Sequence, residues 1–123
     1  MLAQAPAFSG IAVTDMAAAR RFYTETLELG TSEENGMLWL IHPGDRRTLV
    51  YQTPNATAAS YTVLNFEVDD IDAAVGWLTS KGVVFEQYDG FDQDASGIFR
   101  RGGPFIAWFK DPSGNTLSVL QER

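Results

Sequence analysis

The chain lacks cysteine and contains a single histidine among its 123 residues. Without cysteine it forms no disulfide framework, no thiolate metal site and no cysteine nucleophile. It also lacks any apolar run near the roughly 18 residues that indicate a membrane-spanning helix. Its start, MLAQAPAFSG, has neither the basic beginning nor the apolar middle of a signal peptide. These absences predict a soluble protein of the cytoplasm with no membrane partner.

Basic residues are also scarce. Nine Lys and Arg stand against 16 Asp and Glu, and the net charge is -7. A negative field of this kind repels phosphate backbones, and the only dense basic pair is Arg100 with Arg101. We therefore expect no nucleic-acid partner. The hydrophobic fraction of 45% is that of a globular protein, and the length suits one domain.

An internal repeat organises the chain. The segment VTDMAAARRFY, which starts at Val13, returns as VDDIDAAVGWL at Val68, so that Asp15 matches Asp70 at an offset of 55 positions. Each copy has the pattern of a strand, a helix and three strands. We predict an α+β fold, with a single domain over residues 1–123 built from two βαβββ modules at about 7–53 and 61–122.

The two helices have clear start and stop signals. Asp15 and Asp70 supply capping oxygens, the first helix extends to about Leu27, and Gly82 ends the second. Helical spacing predicts that the first helix packs through Ala18, Phe22 and Thr26, with Ala19 and Tyr23 beside them. Strands are predicted at 8–13, 31–33, 37–42, 47–52, 61–68, 83–87, 105–110 and 116–121.

The loop over residues 88–104 is too long for a hairpin and too aromatic for a linker. Two interpretations stay open. In one, a lid closes over a ligand through Tyr88, Phe91 and Phe99, and Arg100 or Arg101 meets an anionic group. In the other, the loop lies on the surface and its arginines pair with Asp92 and Asp94.

The repeat, the V-x-D at each strand-to-helix junction, the helical Phe22-Tyr23 and the DPSGN at 111–115 together resemble the glyoxalase/bleomycin resistance/dioxygenase superfamily. This superfamily is also called vicinal oxygen chelate. The resemblance covers essentially the whole chain. It implies that the two sheets curl into a cup with the helices outside, that a small-molecule ligand occupies the cup, and that the protein is a homodimer.

Enzymes similar to this pattern hold a divalent metal through four strand residues, commonly His, Glu, His and Glu. Carried onto this chain, three of those positions fall on Phe8, Val63 and Ser118, and the fourth falls near Val50 or Tyr51. Hydrocarbon side chains cannot coordinate a metal ion. The chain therefore departs from the ligand set that the resemblance implies. We expect no metal, no other cofactor and no catalytic residue from that set. The sole histidine, His42, is predicted to have a structural role beside a turn, with a role as ligand or general base as the alternative.

Strand alternation predicts the lining of the cup. Phe8, Val63, Asn65 and Ser118 face inward, and Trp39, Tyr51 and Trp108 add flat surface for a planar ligand. The predicted ligand-binding set is Phe8, Trp39, Tyr51, Val63, Asn65, Arg101, Trp108 and Ser118. As the alternative, the aromatic residues fill a closed core or a dimer interface.

The leading hypothesis for function is a metal-free small-molecule binding protein, similar to the bleomycin resistance proteins. The main alternative is a lyase, isomerase or dioxygenase relative with an unusual metal site or none. A third is an interaction module that retains the fold with a collapsed cavity. Fold alone does not decide among them.

Overall fold

The computed structural model describes residues 1–122, and the chain divides into two compact units. The first spans Met1–Thr57 and the second starts at Ala58. Each unit has its own small mixed sheet and its own helical segment, which confirms the predicted α+β class. That the two units act as a single domain stays a prediction.

The first unit begins with a short 3-10 turn at Leu2–Gln4. Its elements are β1 (Ser9–Val13), α1 (Met16–Arg20), β2 (Gly30–Glu34), β3 (Met37–His42) and β4 (Arg46–Gln52). The strand order is β1-β4-β3-β2, in which β1 and β4 are parallel and the other pairs are antiparallel. Asn35 and Gly36 both have positive φ in the turn between β2 and β3, as the Asn-Gly pair predicts.

The first helix extends about as far as predicted, but its second half is a π-helical segment over Arg21–Thr26. There the hydrogen bonds reach one residue further back, as from the Leu27 N–H to the Phe22 carbonyl at 2.9 Å. The predicted packing stripe is right for Ala19 and Tyr23, which are buried, but wrong for Ala18, Phe22 and Thr26, which are only half-buried. The buried residues are Met16, Ala19 and Tyr23.

The second unit contains β5 (Thr62–Glu67), α2 (Ile71–Ser80), β6 (Phe105–Lys110) and β7 (Thr116–Gln121) in the order β5-β7-β6. The strand predicted at 83–87 does not form. Only Phe85 bridges to β6, opposite Phe109, and the Glu86 N–H donates to the Trp108 carbonyl at 2.8 Å. After Glu86 the chain no longer pairs with β6 as a strand. The N–H of Tyr88 instead donates to the Gln93 side chain, within the segment that follows.

The two helices begin in the same way. The Asp15 carboxylate accepts the Ala18 N–H, and the Asp70 carboxylate accepts the Ala73 N–H, each at 3.1 Å. Each cap satisfies an N–H group that has no partner within its helix. Both predicted caps are confirmed, and the duplication therefore extends to individual hydrogen bonds.

A second matched pair joins each helix to the last strand of its unit. Gln52 accepts the Met16 N–H and Gln121 accepts the Ile71 N–H, each at 2.9 Å. Gln121 lies 69 positions after Gln52, which is 14 more than the 55 that separate the helices. The extra residues fall between α2 and β6, in the segment that departs from the strand pattern.

The motif DPSGN ties β7 to the chain that precedes β5. The Asp111 carboxylate accepts the N–H groups of Ser113 and Asn115 at 2.9 Å and the Asn115 side-chain amide at 3.1 Å. The side-chain oxygen of Asn115 in turn accepts the Ala59 N–H at 2.9 Å. Gly114 has φ 88°, and a Cβ there would lie 3.1 Å from Ala58, so glycine is required.

The sheet of the second unit has one face covered by α2 and one face directed away from it. α2 buries Ile71, Val75 and Leu78 against the sheet. The strand residues that are buried on the covered face are Ala107, Phe109, Leu117 and Val119. The alternate residues therefore face away from α2.

No helix within residues 1–122 is long and apolar enough to cross a membrane.

Candidate functional site

Three of the predicted site residues form a row on the face of the second sheet that is directed away from α2. Ser118 on β7 lies opposite Trp108 on β6 and opposite Asn65 on β5. Its hydroxyl donates to the Asn65 side-chain oxygen at 2.6 Å. Val63 falls at the irregularity between Thr62 and Leu64 and has no place in this register. Alternation along the strands thus placed Trp108, Ser118 and Asn65 together.

A pocket of about 270 Å³ opens beside this row, within the second unit. The rings of Tyr88 and Phe91 each lie 5.5 Å from the ring of Trp108 and 5.9 Å from one another. This three-ring cluster forms the aromatic wall of the pocket. The remaining walls carry hydroxyl groups and no formal charge, and they comprise Ser60, Tyr61, Thr62 and Thr116.

The aromatic wall rests on one glutamine. The Gln93 side-chain amide donates to the carbonyls of Glu86, at 2.9 Å, and Gly97, at 2.7 Å. Its oxygen accepts the Tyr88 N–H at 2.7 Å. A single side chain therefore satisfies three backbone groups on both sides of the loop. The segment is a folded turn with its own internal hydrogen bonds, and sequence reasoning gave Gln93 no role.

Ion pairs hold the same segment at the surface. The Arg100 guanidinium lies 2.7 Å from the Asp72 carboxylate on α2 and 3.4 Å from that of Asp94. The hydrogen bond and charge of Asp72 raise the pKa of Arg100. Burial acts to raise the pKa of Asp94, but the N–H groups of Ile98 and Ser96 and the Arg100 guanidinium lower it overall.

Arg101, a predicted ligand contact, pairs with Asp92 at 2.8 Å. Both side chains are well exposed. Together with the Arg100–Asp94 pair, this matches the second interpretation of the loop, a surface segment whose arginines meet its aspartates. A ligand contact for Arg101 stays a prediction.

The hydroxyl of Thr116 is unusual. Thr116 lies in the pocket wall and is 2% exposed, and its oxygen is the only buried side-chain nitrogen or oxygen in residues 1–122 without a hydrogen-bond partner. Its backbone N–H is satisfied by the Ala59 carbonyl at 3.0 Å. Buried polar atoms are rarely left unpaired in proteins. The alternation of β7 put Thr116 on the face of Ser118, but only the folded contacts identify the unpaired oxygen.

The other predicted site residues belong to the first unit. There the ring centres of Phe8 and Trp39 lie 4.8 Å apart. The Arg47 guanidinium covers them, 4.0 Å from the Trp39 ring centre and 5.6 Å from that of Phe8. Trp39 is therefore only 8% exposed, whereas Phe8 is 54% exposed. Tyr51 lies beside Gly10, where a Cβ would approach its ring to 3.2 Å. Ligand contact at these residues stays a prediction.

The strand positions that the superfamily uses for metal ligands do not suit a metal ion here. Phe8 and Val63 have no donor atom, and the Ser118 hydroxyl donates its proton to Asn65. Within residues 1–122 no three His, Asp or Glu side chains come together in a group that could hold a metal.

His42 takes part in a local contact of the first sheet. Its Nε2 lies 2.9 Å from the hydroxyl of Thr48, a buried residue of β4. Burial lowers the pKa of the imidazole below its usual value. This arrangement agrees with the structural role that its place before the turn indicates.

A second groove of about 380 Å³ lies between the end of α2 and the 85–96 segment. It is lined in part by Val84, which is 79% exposed, and by Gln87, whose amide donates to the Asp94 carbonyl at 3.2 Å. It holds a single ring, that of Phe85, and none of the buried, unpaired polar atoms. The smaller aromatic pocket is therefore the better candidate for a ligand.

Comparison with known proteins gives a family match and several structural matches. The model of the Glyoxalase/Bleomycin resistance protein/Dioxygenase superfamily matches residues 5–119. A search of curated proteins gave no match.

Three solved structures illustrate the similarity of fold. TnmS3, an antibiotic binding protein from Streptomyces sp. CB03234, is 23% identical with a TM-score of 0.71, over 94% of this chain and 93% of that one. A glyoxalase/bleomycin resistance protein from the same organism is 23% identical with a TM-score of 0.65, over 95% of this chain and 100% of that one. A superfamily member from Sphaerobacter thermophilus is 22% identical with a TM-score of 0.74, over 99% of this chain and 100% of that one.

The structural matches agree in fold with the family match, which covers nearly all of the chain. The structure forms the duplicated helix caps and the DPSGN turn, two of the features on which the sequence resemblance depended. The chain belongs to the glyoxalase/bleomycin resistance/dioxygenase superfamily.

Proposed function

We propose that this protein binds a small organic molecule, without a metal ion, through the aromatic pocket of its second unit. The observation that carries the proposal is the three-ring cluster of Tyr88, Phe91 and Trp108 around an uncharged pocket. Rings held at such distances offer large apolar faces to a flat ligand at little cost in side-chain entropy. The antibiotic binding protein TnmS3, which shares the fold, supports a binding role.

Size and charge narrow the ligand. A volume of about 270 Å³ is small for a ligand pocket, so it suits a compact ring system or one end of a larger molecule. The walls carry no formal charge, so they offer an ionised group no opposite charge to pair with. We therefore expect a neutral planar group.

A homodimer and a cytoplasmic location remain predictions from the sequence and form part of the proposal.

Naphthol is a suitable neutral planar probe. We expect wild-type protein to bind it in calorimetric titration and Trp108→Ala to bind it at least about tenfold more weakly, because the variant loses the central ring of the wall. Trp77→Ala is the matched control, since Trp77 is half-exposed on α2, beside Lys81 and outside the pocket. Equal losses in both variants, or no binding to wild type, would contradict the proposal.

Chelation tests the metal-free part of the proposal. Protein purified without a metal-affinity tag and dialysed against EDTA should bind naphthol with unchanged affinity, because Phe8 and Val63 supply no ligand atom. Elemental analysis of the same sample should find no stoichiometric transition metal. Loss of binding that added Zn²⁺ or Ni²⁺ restores would instead favour a metal-dependent enzyme.

A further inference from the structure

The unpaired hydroxyl of Thr116 calls for a physical reason. A buried hydroxyl without a hydrogen bond destabilises the fold, because it has lost water and gained no partner. Valine has nearly the same shape and an equal preference for strands, and it would avoid that loss. Thr116 nevertheless lies in the wall of the aromatic pocket, near the exposed mouth formed by Ser60 and Tyr61.

The protein itself has few means to satisfy this oxygen. In the sheet Thr116 lies between Thr62 on β5 and Lys110 on β6, and neither side chain bonds to its hydroxyl. Rotation about χ1 exchanges the places of the hydroxyl and methyl groups among staggered positions. The oxygen is shielded from solvent in the free protein, so a group that enters the pocket meets it after such a rotation, which needs no movement of the backbone.

We infer that Thr116 determines the specificity of the pocket by selecting a planar ligand with one neutral hydrogen-bonding substituent, such as a hydroxyl, carbonyl or amide. The ring lies against Trp108 and its neighbours, and the substituent bonds to Thr116. An ionised substituent is disfavoured because a single hydroxyl cannot replace its hydration. This inference rests on the proposed binding function and adds the ligand's chemical class and the residue that recognises it.

The test compares naphthol with naphthalene, which has the same ring system and no hydroxyl. The ratio of their dissociation constants is measured for wild type and for Thr116→Val. We expect the variant to lose about five- to tenfold of the relative preference for naphthol, the worth of one neutral hydrogen bond. Its affinity for naphthalene should stay within about twofold of the wild-type value, because valine preserves the shape of the wall.

The melting temperature supplies a second test, because Thr116→Val should weaken the preference for naphthol without lowering the stability of the free protein. If the hydroxyl is unpaired in the free protein, the melting temperature of Thr116→Val equals or exceeds that of wild type. A clearly lower melting temperature would show that the hydroxyl is already satisfied inside the protein, by water for example, and would overturn the inference.

Thr57→Val is the control, since it makes the same change at an exposed threonine that does not line the pocket. It should leave the naphthol preference unchanged. Identical ratios in wild type and Thr116→Val would overturn the inference while leaving the binding function intact. Failure of wild type to bind either probe would overturn both.

Discussion

Replacing Asp111 with alanine lowers the free energy of unfolding by about 3 kcal/mol, because the change strands several buried hydrogen-bond donors at once. The Asp111 carboxylate is buried and accepts three N–H bonds from Ser113 and Asn115 within the DPSGN turn. Without it, the Asn115 side chain also loses the support that orients its bond to the Ala59 N–H. The loss therefore extends from the turn to the start of the pocket rim at Ser60.

Urea unfolding followed by circular dichroism measures this effect. Asp89→Ala is the matched control, because it removes the same charge from an exposed position and should change the free energy by no more than about 0.5 kcal/mol. We also expect weaker naphthol binding in Asp111→Ala under native conditions, since Ser60 and Tyr61 follow Ala59 in the pocket rim. A loss of stability as small as that of the control would contradict the role assigned to this turn.

Local chemistry made much of the fold predictable from sequence. Asp15 and Asp70 are placed to cap within three residues of their partners, and Gly82 ends α2 at positive φ. Such signals need no tertiary information. The packing stripe of the first helix was less predictable, because the apolar residues there are dense enough to allow two faces. Contacts with β4 and β2 decide which of them is buried.

The strand predicted at 83–87 shows where local pattern is insufficient. VVFEQ has strand propensity, yet a strand forms only where a neighbour supplies a ladder of partners. Phe85 and Glu86 make contact with β6, after which the chain enters the insertion that the first unit lacks. The offset between Gln52 and Gln121 reveals that insertion only once the two hydrogen bonds are known to be equivalent.

The candidate site was predictable only where it lies on regular strands. Alternation along regular strands predicted that Asn65 and Ser118 share one face, and the structure places the predicted stacking residue Trp108 beside them. One of the two interpretations of the loop placed Tyr88 and Phe91 in a lid, whereas in the structure they form a wall of the pocket. That difference depends on Gln93, whose three bonds reach residues on both sides of it in an irregular loop. No periodic pattern encodes such bonds.

Gln93→Ala should weaken naphthol binding by at least about tenfold, although Gln93 is not among the residues that line the pocket. The change removes the acceptor of the Tyr88 N–H and the donors to the Glu86 and Gly97 carbonyls. Tyr88 then loses its fixed position against Trp108, and the ligand must order the wall when it binds. Ordering the wall at that moment subtracts from affinity.

A double-mutant cycle separates positioning from general loss of stability. If Gln93 acts through the ring of Tyr88, Gln93→Ala costs much less affinity in a Tyr88→Ala background than in wild type. The indole N–H proton of Trp108, observed by NMR without ligand, should also shift as the nearby rings move. Gln87→Ala is the control, because Gln87 belongs to the same segment, is exposed and makes one bond of 3.2 Å to the Asp94 carbonyl. Additive losses in the cycle, together with an unmoved indole signal, would contradict the positioning role, because a wall that keeps its geometry without Gln93 does not depend on it.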